Sequence, residues 1–354
     1  MPLEKIRTEM KSMLRKYHQL LMDNIQQYGF VPEFLNDAQS VDFKTTRALC
    51  QTRGIFYLVT YARLFKHHPS IDTAIALYRR LKQDYWHPKK HNWCELPGQK
   101  ITDNLYEYAF LLFAFSHLYQ AKPFEMLETD IADLHQIIQS KFIDKDFSTL
   151  KDQQGRLCQN AIMHLFEAYL AAFVATKNRQ YKETAEAVFQ KIVCEFYDPE
   201  KQLIAEYSPV SSSIYEPGHS FEWCSLMNRA EHHGLKLTPE TPQKLVDPDQ
   251  MAKAARMLGT LKNGLIKPTL DADTKTATYR IWPILEQLRY YALTKVQNDF
   301  ERTYSIFSGH YIANDLPVEY VDVDGKPAFN KVKATTGYHL INAFSPLFEA
   351  AFCE

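Results

Sequence analysis

Residues 105–119 read LYEYAFLLFAFSHLY, and residues 181–193 read YKETAEAVFQKIV. The first is apolar nearly all the way round a helical wheel, so a helix there must be buried on both sides. The second repeats its apolar residues at three- and four-residue steps and keeps a polar face. Residues 164–173, HLFEAYLAAF, belong with the first kind. Helical periodicity extends over 4–28, 40–66, 70–86, 103–120, 124–141, 159–176, 181–196, 219–233, 247–262, 279–295, 297–308 and 335–352. Through this series fully buried and amphipathic helices alternate. Two concentric helical layers satisfy that alternation, the inner one shielded by the outer.

A period runs through the buried helices. Polar or histidine-bearing positions recur at Arg53, Tyr108, His164, His219, Arg280 and His339. Their steps average about 57 residues, the size of one helical hairpin with its loops. Six such hairpins nearly exhaust the 354 residues. The expected architecture is therefore all-α: an (α/α)6 barrel over residues 1–354 as one domain, with the six marked positions facing a central cavity. Short strand signals fall between helices. VDVDGKPAF (321–329) carries Asp324-Gly325 between β-favouring residues, and 265–280 and 94–101 look similar. They are expected as hairpins in the loops at one mouth of the barrel.

Composition narrows the function. Apolar residues make up 45% and charged residues 23%, an ordinary globular balance. A net charge of -1 gives no reason to expect nucleic acid or an acidic membrane as partner. The first residues, MPLEKIRTEMKSMLRKYHQL, are charged and amphipathic without an apolar signal core, and no apolar run is long enough to span a bilayer. Cys50, Cys94, Cys158, Cys194, Cys224 and Cys353 are scattered without a C-x-x-C pair, as expected of free thiols in a reducing cytoplasm. The 11 glycines form no phosphate-binding loop, and neither an H-E-x-x-H string nor a G-x-S-x-G string occurs. No cofactor and no metal are expected. The 21 Tyr and 22 Phe suit a sugar cleft, although most of them must be core.

Four strings can carry chemistry. Gln51-Thr52-Arg53 places a guanidinium in an apolar helix, where it needs acceptors: a sugar hydroxyl, or a structural pair with Glu107. In Asn160–Glu167, His164 and Glu167 lie three apart on one helix face, either as a site pair or as a satisfied core histidine. In Glu216-Pro217-Gly218-His219-Ser220-Phe221-Glu222-Trp223, Pro and Gly precede a helix start and place His219 in its first turn. The helix end lowers the imidazole pKa there, while Glu216 or Glu222 raises it. Gly337-Tyr338-His339-Leu340 enters the last helix in the same way. Glutamates on the inner helices leave a carboxylate-pair glycosidase open as another reading.

At these strings the chain resembles the N-acylglucosamine 2-epimerase family, which includes cellobiose 2-epimerases and mannose isomerases. QTRGIFYLVTYA is similar to its Gln-x-Arg helix, DNLYEYAFLLFA to its Leu-Tyr-Asp-His-Ala-Phe helix, and NAIMHLFEAYLA to its His-x-His helix. EPGHSFEW, RIWPILEQLRYYAL and GYHL match three further motifs in order. The resemblance implies His219 and His339 as a catalytic pair, supported by substrate contacts from Arg53, His164, Glu222, Tyr108, Arg280, Trp282 and Glu216. Ile162 and Tyr108 depart from the family by replacing histidines, and the ending after His339 is closer to the mannose isomerase style. The implied activity is aldose–ketose isomerisation of D-mannose and D-fructose, with a sugar 2-epimerase as the alternative. The implied partner is a free monosaccharide, acted on by a monomer or homodimer without nucleic acid or membrane.

Overall fold

In the computed structural model the described residues are 2–237, 245–275 and 277–349. Twelve α-helices occur among them: α1 (Leu3–Tyr28), α2 (Ala48–Phe65), α3 (Pro69–Tyr85), α4 (Leu105–Ala121), α5 (Glu125–Lys141), α6 (Gln159–Thr176), α7 (Arg179–Phe196), α8 (Pro217–His232), α9 (Pro248–Gly259), α10 (Ile281–Leu293), α11 (Gln297–His310) and α12 (Thr336–Phe348). The even-numbered helices pack in sequence on one another, and α12 returns to pack on α2, closing a ring. The odd-numbered helices lie outside it, each against an inner neighbour. This is an (α/α)6 barrel, as the alternation of buried and amphipathic segments implies.

The layers follow from side-chain chemistry. In α4 nearly every side chain from Leu105 to Leu118 is buried, whereas α7 buries only Tyr181, Ala185, Val188, Phe189, Ile192, Val193 and Phe196, one stripe at helical spacing. Phe166 of α6 meets Trp223 of α8 at 5.4 Å and Phe189 of α7 at 5.8 Å between ring centroids, tying two staves to the outer layer. At the seam, Tyr17 of α1 donates to the Ala334 carbonyl at 2.8 Å, and Tyr57 of α2 donates to the Leu14 carbonyl at 2.9 Å.

All the strands are two-residue pieces gathered at one mouth. Trp86–His87 pairs with Asn92–Trp93, Tyr197–Asp198 with Leu203–Ile204, and Ile312–Ala313 with Leu316–Pro317, each pair following the C-terminus of an outer helix. Leu157–Cys158 pairs with Tyr207–Ser208, and Tyr279–Arg280 with Tyr320–Val321, directly before inner helices α6 and α10. The expected mouth is therefore present, but the expected hairpins are redrawn. Segment 321–329 closes a turn through the Val321–Pro327 bridge, while its strand pairs with residues 279–280 from another loop. Within 265–280, Ile266 bridges Thr260 instead of folding back on Tyr279, and 94–101 is a loop closed by one Cys94–Ile101 bridge.

Some boundaries also move. The helix expected from residue 40 begins at Ala48, because Asp42 accepts hydrogen bonds from the Lys44 amide (3.0 Å) and the Thr45 hydroxyl (3.2 Å) and holds this stretch in 3-10 turns. The last expected helix, 335–352, is described to Phe348, and its end falls outside the described residues. No disulfide joins the five described cysteines, and Cys353 lies outside the described residues. No described helix is long and apolar enough to cross a membrane.

Because Phe166 is fully buried among aromatic rings, Phe166→Ala is expected to lower unfolding free energy by about 3–5 kcal/mol, read from urea denaturation midpoints at unchanged slope.

Candidate active site

The six inner helices begin at the strand-bearing mouth, so their first turns face one another across it. Pro217 starts α8 with its fixed φ and puts His219 in the first turn. His219 and His339 are both nearly buried, 6% and 8% exposed. The Trp282 ring lies beside both imidazoles, its centroid 4.8 Å from His219 and 5.7 Å from His339. Gly218 permits this approach, since a Cβ there would sit 2.5 Å from the indole.

Each histidine is anchored through Nδ1. His219 Nδ1 is 2.6 Å from Glu206 Oε1, and Glu216 Oε2 is 3.7 Å away. His339 Nδ1 is 2.6 Å from Glu286 Oε1. Such a carboxylate fixes the ring and leaves Nε2 as the working nitrogen. The two anchors differ in charge. Burial opposes protonation of His219, but the Glu206 carboxylate, with Glu216 behind it, raises its pKa to about 9. At His339, burial together with Arg53 and other nearby cations holds the imidazole well below the ordinary histidine range. Glu286 does not reverse this, because Arg289 already bonds that carboxylate at 3.1 Å. Near neutral pH one ring is thus an imidazolium and the other a neutral imidazole.

Behind the histidines lies a buried ionic layer. Arg289, 1% exposed, reaches Glu286 with Nη1 and Glu167 with Nη2, the latter at 3.2 Å. Glu167 also meets His164 Nδ1 at 3.4 Å and accepts a short hydrogen bond from the Tyr338 hydroxyl. Burial works against the Glu167 charge, but His164 and Arg289 outweigh it and lower its pKa. Burial, then repulsion from Glu286 and Glu167, pushes Glu222 well above the carboxylate range, so it sits there as the acid. The Tyr338 hydroxyl is 3.3 Å from it.

Arg53 completes the wall. Its guanidinium donates to the Thr335 carbonyl at 3.2 Å and to the Tyr106 hydroxyl at 2.7 Å, and lies over Phe110 and Tyr338, 4.4 and 4.7 Å from their ring centroids. It does not pair with Glu107, the structural alternative considered above; Arg53 Nε and Glu107 Oε2 are both buried without hydrogen-bond partners. A cation with spare donors and no carboxylate partner is suited to hold a developing oxyanion.

Most of the residues expected from sequence converge here: His219, His339, Arg53, His164, Glu222, Trp282 and Glu216. Arg280 stands at the rim, exposed, bonded to Glu319 at 3.2 Å and 5.9 Å from the Trp282 ring centroid. Tyr108 does not join them. It points outward between α4 and α5, where its hydroxyl meets the Thr102 carbonyl at 3.0 Å and Lys141 Nζ at 3.2 Å. Tyr106 takes the inner position instead, its ring 4.9 Å from His164. Sequence reasoning also passed over Glu206, Glu286, Arg289 and Tyr338 as site residues. Glu286 and Arg289 carried a signal, a charge pair three apart in an apolar helix; Glu206, in a loop, carried none.

Three groups of side chains have the ligand atoms to hold a metal: His164, Glu167 and Glu222; Glu206, Glu216 and His219; and Glu222, Glu286 and His339. In each group the histidine Nδ1 or a carboxylate is already engaged in the hydrogen bonds above.

The sequence model of the N-acylglucosamine 2-epimerase (GlcNAc 2-epimerase) family matches residues 29–343, so the chain belongs to that family of sugar epimerases and isomerases. A D-mannose isomerase of Marinomonas mediterranea is 26% identical over 235 residues, which span 56% of this chain and 58% of that protein's length, under two thirds of it. Among solved structures, a D-mannose isomerase superposes with a TM-score of 0.79 at 17% identity, covering 96% of this chain and 97% of the other. The cellobiose 2-epimerase of Bacillus thermoamylovorans B4167 gives 0.80 at 16%, covering 98% of each.

Loss of the carboxylate that favours the imidazolium must lower the His219 pKa. In Glu206→Gln, NMR titration of His219 is expected to move from about 9 to the ordinary range near 6.5 or below; an unchanged midpoint would assign the proton elsewhere.

Proposed function

We propose that this member of the N-acylglucosamine 2-epimerase family is an aldose–ketose isomerase that interconverts D-mannose and D-fructose with His219 and His339 as its proton carriers. The observation that carries the reading is the pair of imidazoles beside one indole, each held through Nδ1 by a carboxylate that leaves Nε2 for the substrate. The two nitrogens left to work are an acid and a base.

The chemistry divides between them. His219, as imidazolium, gives a proton to the ring oxygen as the pyranose opens and takes the C1 hydroxyl proton in exchange, which restores the imidazolium. The proton at C2 of the open aldose is acidified by the C1 carbonyl, and neutral His339 removes it through Nε2. Negative charge then spreads over the oxygens at C1 and C2, where Arg53 stabilises the enediolate. His339 returns its proton to C1 on the same face, while His219 gives a proton to the C1 oxygen and takes the C2 hydroxyl proton, so that the C2 oxygen becomes the ketose carbonyl and both histidines end as they began. His164, Glu222, Glu216, Arg280, Trp282 and Tyr106 hold hydroxyls and shape the wall. The step balances with no metal or nicotinamide, and the described cysteines, joined by no disulfide, suit a reducing cytoplasm. A 2-epimerase would use the same pair, with His219 protonating C2 from the opposite face.

Proton NMR of D-mannose with the enzyme in heavy water is expected to show D-fructose with deuterium at C1 or C2. Early glucose without fructose would assign epimerisation instead. His219→Asn and His339→Asn are each expected to lower turnover by about 10²–10⁴. The profile of kcat/KM against pH is expected to rise through an acid limb well below pH 6.5, where His339 becomes neutral, and to fall near pH 9 as His219 loses its proton. Activity is expected to survive EDTA; loss restored by one divalent ion would replace this reading with a metal mechanism.

A further inference from the structure

The inner helices also end together, at the mouth opposite the histidines. There a cavity of about 490 Å³ is lined by the C-terminal halves of all six, from Thr60 and Arg63 of α2 to Asn342 and Glu349 at α12. Its polar groups are mostly donors. Arg229 lines it, half-buried, and its guanidinium makes no hydrogen bond or ion pair among the described residues. Lys295 stands exposed at the rim. Asn342, only 7% exposed, has a buried Nδ2 with no partner. Among the described lining residues the carboxylate is Glu349, and Arg63 bonds it at 2.8 Å.

Cations at helix C-termini often serve to offset the helix dipole or to bond the last carbonyls. Here the backbone satisfies some of those carbonyls. The backbone amides of Lys66, Lys122, Lys177, His233 and Thr294 close α2, α4, α6, α8 and α10 by bonding back to carbonyls of the last turn. The residual dipole still works against an anion. Arg229 and Lys295, neither paired with a described carboxylate, work for one. Burial and the nearby charge of Arg289 push the Arg229 guanidinium below its ordinary value, a strain that a bound anion relieves.

We infer that this far-mouth cavity is a binding site for a small molecule bearing phosphate or carboxylate oxygens, with Arg229 and Lys295 as its charge partners and Asn342 Nδ2 as a neutral donor. The site is separate from the histidine pair. It shares one wall with it, because Arg289 lines the cavity while bonding the carboxylates behind His164 and His339.

The test is a thermal-shift titration of the full chain at constant ionic strength, with sodium chloride as the balancing salt and inorganic phosphate or citrate as titrant. A saturable rise in Tm is expected with at least one of them. Phosphate alone would specify a phosphoryl ligand, citrate alone a carboxylate one. Apparent affinity is expected to fall about tenfold or more in Arg229→Gln and in Lys295→Glu. Circular dichroism checks that Arg229→Gln folds; Lys295→Glu, at an exposed position, carries the comparison if it does not. The double variant His219→Asn/His339→Asn is expected to keep the affinity. No saturable shift with either anion, undiminished affinity in the folded charge variants, or loss of affinity in the double histidine variant would each overturn the site.

Discussion

Glu167 and Glu286 lie inside the ring of inner helices with almost no access to water, and one guanidinium, Arg289, bonds both. A carboxylate in such a place is tolerated only when paired and hydrogen-bonded, and removing the single partner of a buried pair generally costs about 3–5 kcal/mol. The rest of the site is arranged around this charge. Glu286 can orient His339 without charging it because Arg289 has already claimed its negative charge. Glu167 orients His164 and accepts the Tyr338 hydrogen bond for the same reason. Glu222, left without a cation, remains an acid.

His219 stands outside that arrangement. Its carboxylate, Glu206, comes from the loop between the strands at residues 203–204 and 207–208, and no arginine bonds it. Two imidazoles with the same covalent structure and similar burial therefore differ in charge because carboxylates surround one and cations the other. The barrel wall sets one pKa and a surface loop sets the other.

This division also explains what the sequence could reveal. The layers were legible because burial on both sides marks residues 105–119 locally, and the stripe of α7 is equally local. His219 with Glu222 and His164 with Glu167 were legible because spacing along a helix fixes a shared face. A segment that is apolar all round has no phase, however. Tyr106 and Tyr108 are two residues and about 200° apart on the wheel, and nothing in their string says which faces inward. The strand at 320–321 shows its own propensity but not that its partner is 279–280. Glu206 reaches His219 only through the loop between α7 and α8, so its role became visible only once the chain was folded.

The closure of α12 on α2 bears on how the molecule is made. The last stave carries His339 and Tyr338, and it must find the first across nearly the whole chain length. During synthesis the earlier hairpins can stack in order, each burying one flank on its predecessor. Until the final helix leaves the ribosome, the apolar edges of α2 and α10 have no cover, and half of the histidine pair does not yet exist in the fold. Long-range contacts of this kind form late and slowly. The nascent chain is thus exposed to aggregation for as long as its histidine pair is incomplete, and both conditions end with the same docking event.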